Sequence, residues 1–251
     1  MRFEQVEGKR AVLETLRGKR SVAELLVGEG IKSGGALDEI LAVAREKKIQ
    51  VTFLPRRELE RLARSENNQG VIVRVEPYRY STVKQVYESL EGQEKAFVVL
   101  LDSVTDPRNL GSIARTCEAA GVDALLLPRS RAAPVTPAVF HASAGAVENL
   151  AIATVPNLVS VMRELKQLGL WVVGADIEAQ TSYFEAELTG PFALVMGSEG
   201  EGLHRLVRET CDLMVNIPMY GKVGSLNVSV AAGIIIYEAM RQRKGNEGSS
   251  R

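Results

Sequence analysis

Cysteine is nearly absent from this chain of 251 residues: Cys117 and Cys211 are the only two. They stand far apart without metal-ligand spacing, which argues against a disulfide framework, fits a reducing compartment and gives no reason to expect a metal. Long apolar runs are missing as well. No stretch approaches the roughly 18 apolar residues of a membrane span, and the first thirty residues lack a signal-peptide core. A cytoplasmic protein with no membrane partner is the expectation. No G-x-G-x-x-G follows the first strand of the larger domain, and no P-loop lysine is present. Dinucleotide and P-loop sites are therefore poor readings.

Net charge is absent too, with 31 Lys and Arg against 31 Asp and Glu, but the balance hides an asymmetry. Residues 1–75 carry 15 cations against 11 acids, and the remainder carries 16 against 20. The segments "GKR" at 8–10 and "RGKR" at 17–20 bracket an amphipathic stretch and concentrate five cations near one helix, which suits a phosphate backbone. Hydrophobic content of 45% and charged content of 25% describe an ordinary globular chain.

Residues 1–75 read as a compact α/β module. "RAVLETL", "LDEILAVAREKK" and "RRELERLAR" have helical spacing; "SVAELLVG", "IQVTFL" and "GVIVRV" are strand-like. "NNQG" at 67–70 is a polar turn before the last strand. Residues 76–95 form a linker with a short helix over 82–90. From 96 to 243 the rhythm becomes strand, helix, strand. "AFVVLLD", "ALLLP", "LAIATV", "LWVVGAD", "FALVMG" and "LMVNIPM" are continuous apolar runs, as parallel strands buried on both faces require. Helices are expected over 109–121, 137–147, 157–168 and 202–210, and a long apolar one from about 226. Trp171 reads as core, and residues 244–251 as a disordered tail. The fold class is α/β: a parallel-sheet domain behind a smaller α/β module.

Three stretches look like chemistry. In "LDSVTDPRNLGSIARTCEAAG", Asn109 reads as a helix cap, Cys117 belongs to the core stripe, and Arg115 projects from the sheet's carboxyl edge. In "LVMGSEGEGL", glycines 197, 200 and 202 allow close approach of a ligand, yet Glu199 and Glu201 would repel a phosphate. In "NIPMYGKVGSLNVSVAAGIIIYEAM", a Pro- and Gly-rich loop leads into the apolar helix, with Ser225 and Asn227 at its start. Each stretch follows a strand, so all three can meet at one edge of the sheet. His141 and His204 fall outside them, and His204 reads as structural or surface-exposed.

In this order the three stretches resemble the motifs of the SpoU (TrmH) family of RNA 2'-O-ribose methyltransferases. The N-terminal module is similar to the small RNA-binding domain, like ribosomal protein L30e, of members acting on ribosomal RNA. The nearest likeness is to bacterial enzymes that methylate a guanosine ribose in large-subunit ribosomal RNA; those commonly carry His-Gln-Gly-Val where this chain has Asn68-Gln69-Gly70-Val71. The resemblance implies a deep trefoil knot in the parallel-sheet domain, a homodimer, and S-adenosylmethionine as methyl donor without a metal. It implies that Gly197, Ile217 and Leu226, with Gly174 close by, line the donor site. It places Asn109, Arg115, Glu199, Ser225 and Asn227 on the RNA side as the catalytic set. Making an arginine a base at neutral pH costs roughly 9 kcal/mol, so Arg115 is assigned to phosphate or 2'-hydroxyl and Glu199 is the first acid to test as base. Other readings stay open here: transfer RNA as substrate, a non-catalytic RNA-binding ribosome-assembly factor, and a nicotinamide-dependent oxidoreductase.

Overall fold

The computed structural model describes residues 3–18, 20–31, 34–65 and 68–248, and the chain forms two compact units. One comprises Met1–Arg79 with Pro134–Asn149; the other comprises Tyr80–Ala133 and Leu150–Arg251.

The first unit runs β1 (Glu4–Glu7), α1 (Lys9–Arg17), β2 (Val22–Gly28), α2 (Ala36–Glu46), β3 (Val51–Leu54), α3 (Arg56–Leu62) and β4 (Val71–Val75). Its mixed sheet has the order β1-β4-β2-β3, with only β2 and β3 parallel. The sequence pattern hides β1 because Gln5 and Glu7 are polar yet buried. Glu7 earns its place by hydrogen bonding: it accepts from the amides of Arg64 and Ser65 at 2.7 and 2.9 Å and from Gln5 Nε2 at 2.7 Å.

Residues 134–149 belong to this unit although they lie between two strands of the other. The helix expected over 137–147 is split into α6 (Pro137–Ala142) and a 3-10 turn (Ala146–Glu148). Ala144 and Gly145, between them, have φ of 52° and 88°, a left-handed backbone that no α-helix contains. Arg20 secures the segment. Its Nε donates to Glu148 at 2.6 Å, and its guanidinium carbon lies 4.2 Å from the centre of the Phe140 ring. Burial pushes the Glu148 carboxyl up, against the opposing pull of Arg20. The Arg20 side chain is consequently only 7% exposed, and Arg17 pairs with Glu14 and Glu39. Of the five cations assigned to a phosphate backbone, Arg20 is therefore buried in the fold and Arg17 is paired with carboxylates at the surface; Lys19 lies outside the described residues, as does Asn67 of the expected polar turn.

The second unit runs α4 (Val83–Leu90), β5 (Phe97–Leu101), α5 (Pro107–Ala120), β6 (Ala124–Pro128), β7 (Ala151–Val155), α7 (Leu158–Gln167), β8 (Trp171–Ala175), β9 (Thr181–Ser182), β10 (Phe192–Met196), α8 (Arg205–Thr210), β11 (Leu213–Asn216) and α9 (Val228–Gly248). Its sheet is parallel throughout, in the order β7-β6-β5-β10-β8-β11-β9. The six apolar runs are all strands, and every residue of the central β5 and β10 is buried. Cys117 is core, as expected. Trp171 is not: as the first residue of β8 it stands at the sheet's amino edge and is 62% exposed. α9 packs on α5, and its Ala232, Ile235, Ile236 and Ala239 are buried. It continues to Gly248, so residues 244–248 extend a cooperative helix where a tail was expected, and 249–251 lie outside the described residues. Among the described residues no helix is long and apolar enough to cross a membrane.

Candidate active site

Parallel strands send their following loops to one edge, and there the segments after β8, β10 and β11 surround a cleft of about 460 Å³. Its walls include Ile177, Met196, Ile217 and Leu226, and its rim carries Asp176, Glu178, Glu199 and Glu201. Arg208 is the one cation among the described lining residues, and it is already paired with Asp176 and, at 3.3 Å, with Glu178. Such a rim complements a cationic ligand and opposes a phosphate.

The loop after β10 folds back on itself. Ser198 and Gly202 exchange two backbone hydrogen bonds of 3.1 Å, with Gly200 and Gly202 at φ of 95° and 67°. Left-handed Gly202 delays the start of α8 to Arg205, three residues later than expected. Gly197 lies at the base of this turn. A Cβ on it would come within 2.3 Å of the Gly202 carbonyl carbon, so a side chain there would disrupt the turn itself.

Three polar side chains converge at the mouth of the cleft. Asn227 Nδ2 donates to Asn109 Oδ1 at 2.9 Å and also to Glu199 Oε1. Its Oδ1 accepts from the Ser229 amide at 2.9 Å and so caps α9. The Val228 amide also donates to Glu199 Oε1, at 3.4 Å. Asn109 is not the cap of α5. That role belongs to Asp106, which accepts from the Arg108 amide at 2.8 Å with Pro107 in the first helical position. Asn109 is instead 8% exposed, one turn inside, where its side chain reaches Asn227.

Of the remaining expected residues, Gly197, Ser225, Ile217 and Leu226 line the cleft. Gly174 does not; a Cβ there would strike Cys211 Sγ and Met214 Sδ at 2.7 Å, which makes it a packing glycine behind Ala175. Arg115 stands exposed on α5, six residues and about 9 Å of helix beyond Asn109, without a bonded partner among the described residues. The structure thus brings Asn109, Glu199 and Asn227 into contact and leaves Arg115 apart. Asp176, Glu178 and Arg208 were absent from the sequence reading because their pairing joins segments distant in the chain. Burial pushes the Cys117 thiol well up and that of Cys211 to about 12, so neither is a nucleophile.

The first unit has a cleft of its own, about 830 Å³, lined by Arg56, Arg64, Ser65, Asn68, Gln69 and Gly70 among others. Asn68 Oδ1 accepts from the Gly70 amide at 2.8 Å, and Gln69 Oε1 from the Lys9 amide at 2.9 Å, so this turn is fixed by its own side chains.

Comparison with known families decides what these clefts belong to. Residues 96–237 match the SpoU rRNA Methylase family, and residues 5–81 match the RNA 2'-O ribose methyltransferase substrate binding domain. The chain belongs to the SpoU family. It is an RNA 2'-O-ribose methyltransferase, with a substrate-binding domain ahead of the methylase domain. A relative from Bacillus subtilis, named "Putative TrmH family tRNA/rRNA methyltransferase YacO", is 40% identical over 95% of each chain. The Vibrio vulnificus "23S rRNA (guanosine-2'-O-)-methyltransferase RlmB" is 40% identical over 96% of this chain and 97% of its own. Among solved structures, the SpoU methyltransferase AviRb of Streptomyces viridochromogenes, in complex with the cofactor AdoMet, superposes with a TM-score of 0.81 at 28% identity, covering 96% of this chain and 91% of that one.

Proposed function

We propose that this SpoU methyltransferase methylates the ribose 2'-hydroxyl of a guanosine in large-subunit ribosomal RNA, in the cytoplasm and as a homodimer, with S-adenosylmethionine as donor. The observation that carries the reading is the contact of Asn109, Asn227 and Glu199 at the mouth of an acidic cleft with apolar walls. The cleft fits the donor: its volume is that of a small-ligand site, and its carboxylates suit a sulfonium. When bound, S-adenosylmethionine supplies a methyl group on sulfur, a leaving group that needs no acid.

The chain's own residues do the rest. Ile217, Leu226 and Met196 keep water from the reacting end, and Gly197 keeps the turn that frames it. Glu199, with Oε1 held by Asn227 and Val228, presents Oε2 to the proton of the 2'-hydroxyl, a role worth about 10²–10⁴ in rate. Arg115 takes the neighbouring phosphate, and Ser225 bonds the substrate from the loop before α9. Alignment of the two reactants supplies a further share of the acceleration.

The name borne by the Vibrio relative supports ribosomal RNA; the name borne by the Bacillus relative keeps transfer RNA as the second reading. The joint presence of Asn109, Glu199 and Asn227 favours catalysis over a non-catalytic assembly factor. Val230 and Tyr237, seven residues apart on one side of α9 and 50% and 53% exposed, support a second subunit on that helix. The trefoil knot and the resemblance of the first unit to ribosomal protein L30e are part of the same reading. Mapping ribose methylation in ribosomal and transfer RNA from cells with and without the protein tests it. Loss of one guanosine mark in large-subunit RNA is expected, whereas loss of a transfer RNA mark alone would transfer the assignment.

A further inference from the structure

Beside the cleft, the carboxyl edge of the large sheet carries a second polar chain that the reaction as described leaves unused. Asp102, the first residue after β5, is 5% exposed, and its amide donates to the Met196 carbonyl at 2.8 Å. Its carboxylate accepts from the backbone amide of His204 at 2.8 Å, and both carboxylate oxygens lie 3.0 Å from Nδ1 of the same residue. On the far side of the ring, His204 Nε2 lies 3.3 Å from a guanidinium nitrogen of Arg131. A carboxylate only accepts and a guanidinium only donates, so in this arrangement Nδ1 carries the ring hydrogen and Nε2 accepts from Arg131.

Arg131 is exposed and sits in a left-handed backbone, φ 61°, which costs a residue with a side chain on the order of 1 kcal/mol. The loop is pinned on both sides, by Arg129 N to Val155 O at 2.7 Å and Ala133 N to Val104 O at 2.9 Å. Packing accounts for Asp102 and for the His204 amide. It does not account for an exposed arginine held at the solvent end of a buried carboxylate and a histidine. The loops after β6, β5 and β10 leave the same edge, and β6 is two strands from β10, about 10 Å. His204 also lies two residues beyond Gly202, which closes the turn carrying Glu199, so one buried carboxylate anchors both loops.

We propose that Arg131 binds an RNA phosphate flanking the methylated nucleotide, and that His204, set by Asp102, is the residue that positions it. The inference rests on the chain acting on RNA. It adds a substrate-positioning contact, outside the donor cleft, that the family motifs used above do not include.

The test is methyl-transfer kinetics on large-subunit ribosomal RNA transcribed in vitro, at several salt concentrations, with donor affinity and melting temperature measured alongside. Arg131→Ala should raise KM for RNA about tenfold, leave kcat within about twofold, and lower the slope of log affinity against log salt by about one. His204→Ala should raise KM similarly and add nothing to Arg131→Ala in the double variant. His204→Gln, whose amide oxygen can replace Nε2 as acceptor, should recover most of the loss. An unchanged KM and salt slope in Arg131→Ala, or full additivity with His204→Ala, would overturn the proposal. Should wild-type protein transfer no methyl group, the functional reading falls by itself; filter binding of the same RNA then decides on Arg131 separately.

Discussion

Asn227 donates through Nδ2 to Asn109 Oδ1 at 2.9 Å, a bond between residues 118 positions apart. The other hydrogen of the same nitrogen goes to Glu199, and the amide oxygen caps α9. One carboxamide thereby joins all three motif segments, and each of its polar groups has a separate task.

Those tasks separate by substitution. Asn227→Asp keeps an oxygen for the helix cap but removes the donor and sets a second carboxylate against Glu199. Its kcat should fall by about 10²-fold or more, and the melting temperature should fall with it. Glu199→Gln should lower kcat by a similar factor while donor affinity stays within about threefold. Equal losses of kcat and donor affinity in Glu199→Gln would place this residue on the donor side.

Arg115 is exposed and has no hydrogen-bond or ion-pair partner among the described residues, so its removal should cost the fold little. Arg115→Ala should leave melting and donor binding intact and reduce methyl transfer by at least about tenfold. Isothermal titration with S-adenosylmethionine, beside a transfer assay, checks this; a parallel drop in donor affinity removes Arg115 from the RNA side.

Gly197 is a test of the turn. Gly197→Ala places its methyl carbon 2.3–2.6 Å from backbone atoms of Gly202 and Leu203, which cannot swing aside. We expect a loss of about 2 kcal/mol or more in stability, seen by denaturant titration, accompanied by weakened donor binding.

Arg243, near the end of α9, donates to the carbonyls of Lys95 at 2.9 Å and Gly190 at 2.8 Å and lies over the rings of Phe97 and Phe192. Its side chain thereby ties α9 to the starts of β5 and β10. Arg243→Ala should cost about 3 kcal/mol, detectable as a lowered melting temperature with unchanged KM for the folded fraction.

The large sheet was legible because strands buried on both faces are apolar without interruption, and the cleft because its glycines and polar residues occur in long motifs. β1 was not, since Gln5 and Glu7 are buried polar residues whose partners lie about sixty positions away. The packing of 134–149 with the first unit has no local signature either: it depends on Arg20 meeting Glu148 across 128 positions. The place of Asn109 has a local signal. Asp106 followed by Pro107 is the stronger helix start, and it frees Asn109 for the contact it makes.

The central claim is that the site at the edge of the large sheet methylates a ribose oxygen. Alkali cleaves RNA through the 2'-hydroxyl, so a methyl group there protects the adjacent linkage. Ribosomal RNA labelled by the protein with methyl-tritiated S-adenosylmethionine is to be digested with alkali and sized. Label in alkali-resistant dinucleotides is the expected result, abolished by Glu199→Gln. Label in mononucleotides, which marks methylation of a base, would contradict the account.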